Sequence, residues 1–327
     1  MTEPLKWGLT GTGSISRAFA EAIPQTADAA LWSVLSRREE SARAFADEHQ
    51  VPNTRTSLRS FAEDPNLDVV VIGSPHPFHK QETIACLEAG KHVLCEKPMA
   101  LNRGEVEEMI AAARANGRFL MEAMWMVFIP AVIRARELVA EGAIGTPGLV
   151  IADFGRTVPF DPGNRFFDLA LGGGTLLDMG VYPLALAYFF FGRPAEIAGM
   201  AVVGETSVDE QIAMTLKYGG GRLANLTASI RSDTACAGSI AGSEGSIRIH
   251  SPFWHSERLT LSRRDEPDRV FDFPHDGSPY RYEIDHVNAC IRAGKLESDV
   301  LPWATSLDLV DTMDRLRSGW RISYPGE

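Results

Sequence analysis

Cysteine is scarce in this sequence, with four residues, at positions 86, 95, 236 and 290. No two form a Cys-x-x-Cys pair, so zinc-ribbon and thioredoxin-like sites are set aside and reduced, buried thiols are expected. Basic residues are also short, with 32 Lys and Arg against 43 Asp and Glu and a formal net charge of -11. That balance excludes a protein built to coat nucleic acid or an anionic membrane, while a local basic pocket for a phosphorylated ligand is compatible with it. The first residues lack a basic region followed by an apolar signal core, and no window reads as the roughly 18 to 20 apolar residues that span a bilayer. Low-complexity tracts are missing as well. The expectation is a cytoplasmic globular protein with no nucleic-acid and no membrane partner.

What is present begins with length. A chain of 327 residues exceeds what one hydrophobic core usually supports, and two domains are expected. Residues 7–10 read as a strand, Gly11-Thr12-Gly13-Ser14 as a turn, and 15–23 as a helix that stops before Pro24. The arrangement suits phosphate binding. Gly11 permits the turn, Gly13 lets the backbone approach a pyrophosphate, and Ser14 and Ile15 open a helix whose free N–H groups face an anion. Ser16 stands at the third position of the fingerprint and is small enough for close packing. A second strand over 29–35 runs into Ser36, Arg37 and Arg38, where a nucleotide fold meets the adenosine ribose. An acid there would repel a 2'-phosphate; two guanidinium groups suit one, so NADP is preferred, with NAD left open.

Residues 68–73 form a β-branched run of buried-strand type, followed by Ser74-Pro75-His76-Pro77-Phe78-His79 and a helix over 81–89. His76 and His79 sit in a proline-interrupted loop without a carboxylate or thiolate cluster. A loop passing over the nicotinamide half of the cofactor is expected, and no metal. The strand 92–96 then ends in Glu96, Lys97 and Pro98, delivering an acid and a base to the carboxyl end, where ligands bind in an open α/β sheet. In isolation the same three residues would serve as a surface ion pair. Helices over 103–116 and 130–141 flank a strand over 118–122. From residue 148 the period changes to two, with strands predicted over 148–156, 196–203, 210–217, 222–231, 238–249 and 258–262. The predicted fold is α/β: a Rossmann doubly wound parallel sheet over 1–123, then an α+β domain with a large, mainly antiparallel open sheet over 124–327. C-terminal helices over 280–293 and 303–319 are expected to pack back on the first domain.

Within the second half, residues 165–183 carry three consecutive glycines ahead of a helix. Asp178 and Tyr182, four apart, are predicted to share one helix face. An acid beside a phenol is a workable proton-transfer set, and equally a turn cap beside a core aromatic. Trp125, Phe154 and Tyr280, with Phe166 and Phe167, offer an aromatic wall for a sugar ring or cyclic diol. Arg165 and Arg156 are candidates for a charged substituent or the cofactor.

Gly11-Thr12-Gly13-Ser14-Ile15-Ser16, Ser74-Pro75, the run 90–98 ending in Glu96-Lys97-Pro98, and Asp178-Met179-Gly180-Val181-Tyr182 together resemble the Gfo/Idh/MocA oxidoreductase family over nearly the whole chain. Met121-Glu122-Ala123-Met124-Trp125 and the segment 172–178 are similar to its branch of dimeric dihydrodiol dehydrogenases and NADP-dependent D-xylose dehydrogenases. The resemblance implies Lys97 and Tyr182 as the catalytic pair, Glu96 near the nicotinamide ribose and Asp178 beside the substrate. Ser74, Pro75, His79 and Arg165 join the expected cofactor contacts. A homodimer through the C-terminal sheet is implied too. Tyr182 stands where many members carry histidine, and His76 where many carry asparagine. The expected reaction is NADP-dependent hydride transfer at a sugar or cyclic diol hydroxyl. The alternatives are a reductase of 1,5-anhydrofructose or another dicarbonyl sugar, and a non-catalytic NADP(H) sensor.

Overall fold

The computed structural model describes residues 3–327. Two compact units divide the chain: one holds the residues up to Ala123 together with Asp276–Leu307, the other Met124–His275 together with Asp308–Glu327. The third crossing point, after Leu307, falls inside the last helix.

The first unit is built on six parallel strands: β1 (Leu5–Thr10), β2 (Ala29–Leu35), β3 (Asn53–Arg55), β4 (Val69–Ile72), β5 (His92–Glu96) and β6 (Leu120–Ala123). Their order, β3-β2-β1-β4-β5-β6, reverses between β1 and β4, and the crevice outside that reversal is where such sheets take a dinucleotide. Helices α1 (Ser14–Ala22), α2 (Glu39–His49), α3 (Leu58–Ala62), α4 (His79–Glu88) and α5 (Arg103–Asn116) make the crossovers. The start and stop of α5 follow from its caps: Asn102 Oδ1 accepts from the Glu105 N–H at 3.0 Å, and Gly117 closes the helix at φ +60°. At Gly8 a Cβ would lie 2.7 Å from the Phe61 ring and 2.8 Å from Leu67, so β1 must be bare for α3 to pack on it. The short β3 and α3 have no counterpart in the sequence expectation, being too brief to show a period.

In the second unit α6 (Pro130–Ala140), β7 (Pro147–Gly155), α7 (Val181–Phe191), β8 (Glu196–Val203), β9 (Asp209–Lys217), β10 (Leu223–Ser229), β11 (Gly238–Gly242), β12 (Gly245–Ile249), β13 (Arg258–Arg263) and β14 (Arg269–Asp272) follow in order. The sheet runs β14-β13-β12-β11-β7-β10-β9-β8. Every pairing is antiparallel except β7 with β10. The expected single strand over 238–249 is a hairpin, since Ser243 and Glu244 turn the chain and β11 pairs back on β12. Alternation persists through so short a turn, which is why the break does not show in the pattern. One face alternates inward with Val150, Ala152, Ile212, Met214, Leu216, Ala224 and Leu226, all buried. The other presents Ile151, Met200, Val202 and Leu223 as exposed residues.

Two C-terminal helices complete the chain, α8 (Arg281–Arg292) and α9 (Trp303–Trp320). The Trp7 indole donates to Asn288 Oδ1 of α8 at 3.2 Å, tying that helix to β1. All four cysteines are buried free thiols. Against the sequence expectation, Leu169–Phe191 is long and apolar enough to cross a membrane by length and composition alone, and its most apolar 18 residues are 83% buried inside the fold. It is broken into 3-10, π and α pieces.

Candidate active site

The turn after β1 carries the phosphate-binding features. Gly11 has φ +82°, and Gly13 precedes α1 with no side-chain cap and no acid in the first turn. Open space surrounds the position a Cβ would take at Gly13. The first N–H groups of α1 thus remain available, and the turn fits a pyrophosphate. Ser16 takes up the packing role expected of it. Its hydroxyl donates to the Thr10 carbonyl at 3.1 Å, and a Cβ on Gly73 at the end of β4 would come within 2.9 Å of it.

At the end of β2 the Ser36 N–H donates to Arg55 O at 3.0 Å, and Arg37 and Arg38 are exposed. The Arg37 guanidinium lies over the Phe78 ring at 5.7 Å. Neither arginine meets a carboxylate within ion-pair distance among the described residues, so both offer donors to a phosphate.

His79 has a different place from that expected. Its ring is fully buried, with Nδ1 3.0 Å from Pro98 O and Nε2 2.9 Å from Ser74 O. Both ring nitrogens face backbone carbonyls, and the N–H of the one that carries the proton donates to its carbonyl, so the ring is set between the Ser74-Pro75 loop and the turn after β5. His76 stands edge-on to it at 5.5 Å.

Glu96 and Lys97 leave the end of β5 at a cis Lys97–Pro98 bond, and Glu96 Oε2 accepts from the Lys97 N–H at 3.2 Å. Glu122 of β6 holds the turn that follows: its Oε1 accepts from the Met99 N–H at 3.0 Å and its Oε2 from the Ser306 hydroxyl at 2.7 Å. Burial pushes the Glu122 carboxyl up.

Sequence reasoning missed Glu283 of α8. It is fully buried, neither carboxyl oxygen has a hydrogen-bond partner among the described residues, and burial with the nearby charge of Glu96 pushes its acid form well up. Its signal was present, since Glu283 sits on the same helix face as the buried Val287 and Cys290, where an acid is out of place. Tyr280 lies in the first unit just ahead of α8 and packs on Phe19 at 5.2 Å.

In the second unit Tyr182 is the centre. Its oxygen accepts from the Trp125 indole N–H at 3.1 Å. Phe154 of β7 lies 5.6 Å from its ring and stacks on Trp254 at 3.6 Å and 12°, while Trp254 is 6.0 Å from Tyr182. His255 meets Trp125 at 5.7 Å and His275 at 4.9 Å. Trp254 and His255 were not anticipated. They sit in a short 3-10 turn, Phe253–His255, where no period marks them, although Phe-Trp-His in a loop is an unusual aromatic density.

Asp178 and Tyr182 do not share one α-helix as the spacing predicted. Asp178 lies in a π-helical turn, Leu176–Gly180, that leads into α7. The turn is shaped from both ends. Asp209 Oδ2 accepts from the Leu176 N–H at 2.6 Å, and Gly180 packs so closely on Ile212 that a Cβ would lie 2.6 Å from it. Such turns recur at functional sites. Arg165, expected at the cofactor, donates to Asp178 Oδ1 at 3.0 Å and rests on the Phe166 ring at 4.4 Å. The triple glycine serves this loop, since a Cβ on Gly173 would strike three carbonyl oxygens at 2.8 to 2.9 Å.

Comparison with known proteins accords with these features. Residues 5–124 match the oxidoreductase family with NAD-binding Rossmann fold, and residues 132–248 match the GFO/IDH/MocA C-terminal domain. The trans-1,2-dihydrobenzene-1,2-diol dehydrogenase of Bos taurus is 35% identical over 333 residues, covering 98% of each chain. That of Homo sapiens is 34% identical over 331 residues, again with 98% of each chain covered. Among solved structures, levoglucosan dehydrogenase in complex with NADH and levoglucosan superposes with a TM-score of 0.88 at 20% identity, covering 98% of this chain and 99% of that one. KijD10, a 3-ketoreductase from Actinomadura kijaniata in complex with NADP and TDP-benzene, gives 0.85 at 25% identity, covering 97% and 98%. The chain belongs to the Gfo/Idh/MocA family and is a nicotinamide-dependent oxidoreductase acting on hydroxyl groups.

Proposed function

We propose that this protein is an NADP-dependent dehydrogenase that transfers hydride between nicotinamide and a hydroxyl-bearing carbon of a cyclic diol or sugar. The observation that carries the reading is the packing of Phe154 and Trp254 against the Tyr182 ring, with the Trp125 indole N–H donated to its oxygen. Flat, apolar walls beside one proton-exchanging oxygen suit a ring bearing vicinal hydroxyls. The similarity to trans-dihydrodiol dehydrogenases along 98% of the chain supports the same choice.

Gly11, Gly13, Ser14 and Ile15 would hold the pyrophosphate, Ser36, Arg37 and Arg38 the 2'-phosphate, and Ser74, Pro75 and Glu96 the nicotinamide half. When bound, the nicotinamide supplies the carbon that accepts or gives hydride. Tyr182 takes the substrate hydroxyl proton during oxidation and returns it during reduction. An ordinary phenol, with pKa about 10, is a weak base at neutral pH. The Trp125 N–H donated to its oxygen favours the charged form, and Lys97 is assigned as the cation that does so further. Asp178, held by Arg165, orients a second substrate hydroxyl. The exposed apolar side chains of Ile151, Met200, Val202 and Leu223 on one face support a homodimer through that sheet.

The test is turnover with NADP(H) and NAD(H) on a trans-dihydrodiol, D-xylose, D-glucose and 1,5-anhydrofructose. NADP-dependent oxidation of the diol or a sugar is expected; reduction of 1,5-anhydrofructose alone would favour a dicarbonyl-sugar reductase. Tight NADPH binding without turnover on a wider polyol panel would leave a sensor. A Lys97→Met, Tyr182→Phe double-mutant cycle reads whether the two act as a unit, in which case their effects are far from additive.

A further inference from the structure

One cluster of side chains lies outside the chemistry described so far. His286 and Cys290 stand one turn apart on α8. After the helix stops at Gly294 (φ +69°), the chain turns back and brings Asp299 beside them. Cys290 Sγ is 3.4 Å from His286 Nε2, His286 Nε2 is 3.8 Å from Asp299 Oδ1, and the three ligand atoms all lie within 4.8 Å of one another. In tetrahedral zinc sites, metal–ligand distances of about 2.0 to 2.3 Å place ligand atoms roughly 3.3 to 3.8 Å apart, the range of the two spacings from His286.

The hydrogen bonds around the cluster prepare it further. Ser298 Oγ accepts from the Val300 and Leu301 N–H groups at 3.0 and 2.9 Å, so its own proton is directed at His286 Nε2, 2.7 Å away. That nitrogen therefore carries a lone pair, the form in which imidazole binds a metal. Lys295 engages Asp299 through Oδ2 at 3.0 Å, which leaves Oδ1 facing the histidine. Asp299 is exposed and the His286 side chain 18% exposed, so a cation can enter from the Asp299 side, while the buried Cys290 gives the site a sulfur floor.

We propose that His286, Cys290 and Asp299 form a binding site for a thiophilic divalent cation such as zinc, with three protein ligands and one position left to water. On binding, the thiol gives up its proton to solvent and the thiolate sulfur bonds the metal. The cation also takes the histidine lone pair that the Ser298 hydroxyl now holds. The inference is independent of the reaction proposed above.

The experiment uses the full-length, reduced, tag-free protein after chelator treatment. Calorimetric titration with zinc should show one equivalent bound per chain, and cobalt should give a thiolate-to-metal charge-transfer absorption. Cys290→Ser should abolish that absorption and Cys236→Ser should keep it. Asp299→Ala, a surface change whose folding is checked by circular dichroism, should weaken zinc about tenfold or more. Absence of saturable zinc binding, a cobalt spectrum without the sulfur band, or affinity unchanged in Asp299→Ala would each overturn the site.

Discussion

The Trp125 indole N–H donates to the Tyr182 phenol oxygen across 3.1 Å, and both residues are buried. Removing the phenol oxygen in Tyr182→Phe should lower kcat by about 10²- to 10⁴-fold, the usual worth of a placed acid or base, with NADPH affinity unchanged. Trp125→Phe keeps the wall and deletes only the donor. About tenfold is expected from one hydrogen bond to a charged group, with the acidic, ascending limb of the oxidation pH profile moved to higher pH. Normal turnover in Tyr182→Phe would remove it from the mechanism.

Arg37 and Arg38 distinguish the two nicotinamide cofactors if they hold the 2'-phosphate. Each charge-assisted bond contributes roughly 1.5 to 3 kcal/mol, so Arg37→Ala or Arg38→Ala should raise KM for NADP by about tenfold to a hundredfold. KM for NAD should stay within about twofold. Equal losses for both cofactors would mean that the arginines support the fold of the loop, with Arg37 doing so through Phe78.

The parts of this site that could be read from sequence share one property: local chemistry and structural role coincide. The glycine turn needs positive φ at Gly11 and bare space at Gly13, and the element ending at Glu96-Lys97-Pro98 needs a strand that stops. Tertiary context decided the rest. Nothing in Phe253-Trp254-His255 announces that Trp254 stacks on Phe154, about 100 residues away in sequence. The spacing of Asp178 and Tyr182 fits an α-helix, and only the pull of Asp209 on Leu176 with the close packing of Gly180 widens the turn. His79 looked like a ligand contact, and its two backbone partners are residues 74 and 98, which only the sheet order brings together.

The outer face of the second sheet yields an assembly prediction. Met200 is 79% exposed and Val202 53% on the edge strand β8, and Ile151 and Leu223 continue the apolar surface inward. Replacing Met200 and Val202 together with Glu places two charges on that face without touching the buried one. Sedimentation equilibrium should show a dimer for the parent chain and a monomer for the double variant. A parent of single-chain mass would end the dimer proposal, and a variant that remains dimeric would move the interface elsewhere.

Asp209 ties the turn that carries Asp178 to pH. Burial pushes its carboxyl up from 3.8 to about 7, against the opposing N–H donation from Leu176, and its Oδ1 has no hydrogen-bond partner among the described residues. Between about pH 4 and pH 7 the native state therefore keeps a proton that the unfolded chain has released. Stability falls across that window as pH rises, at up to about 1.4 kcal/mol per pH unit from this group, and levels off above the folded pKa. Asp209→Asn retains an acceptor for the Leu176 N–H and cannot titrate. Other buried acids, Glu122 and Glu283 among them, contribute in the same direction, so the difference between parent and variant isolates Asp209. Urea unfolding across the window should give a shallower decline for the variant, the two curves diverging most in slope between about pH 5 and pH 7. Parallel curves would show that Asp209 is ionised in the native loop throughout, with its charge held by the N–H groups at the mouth of the π turn.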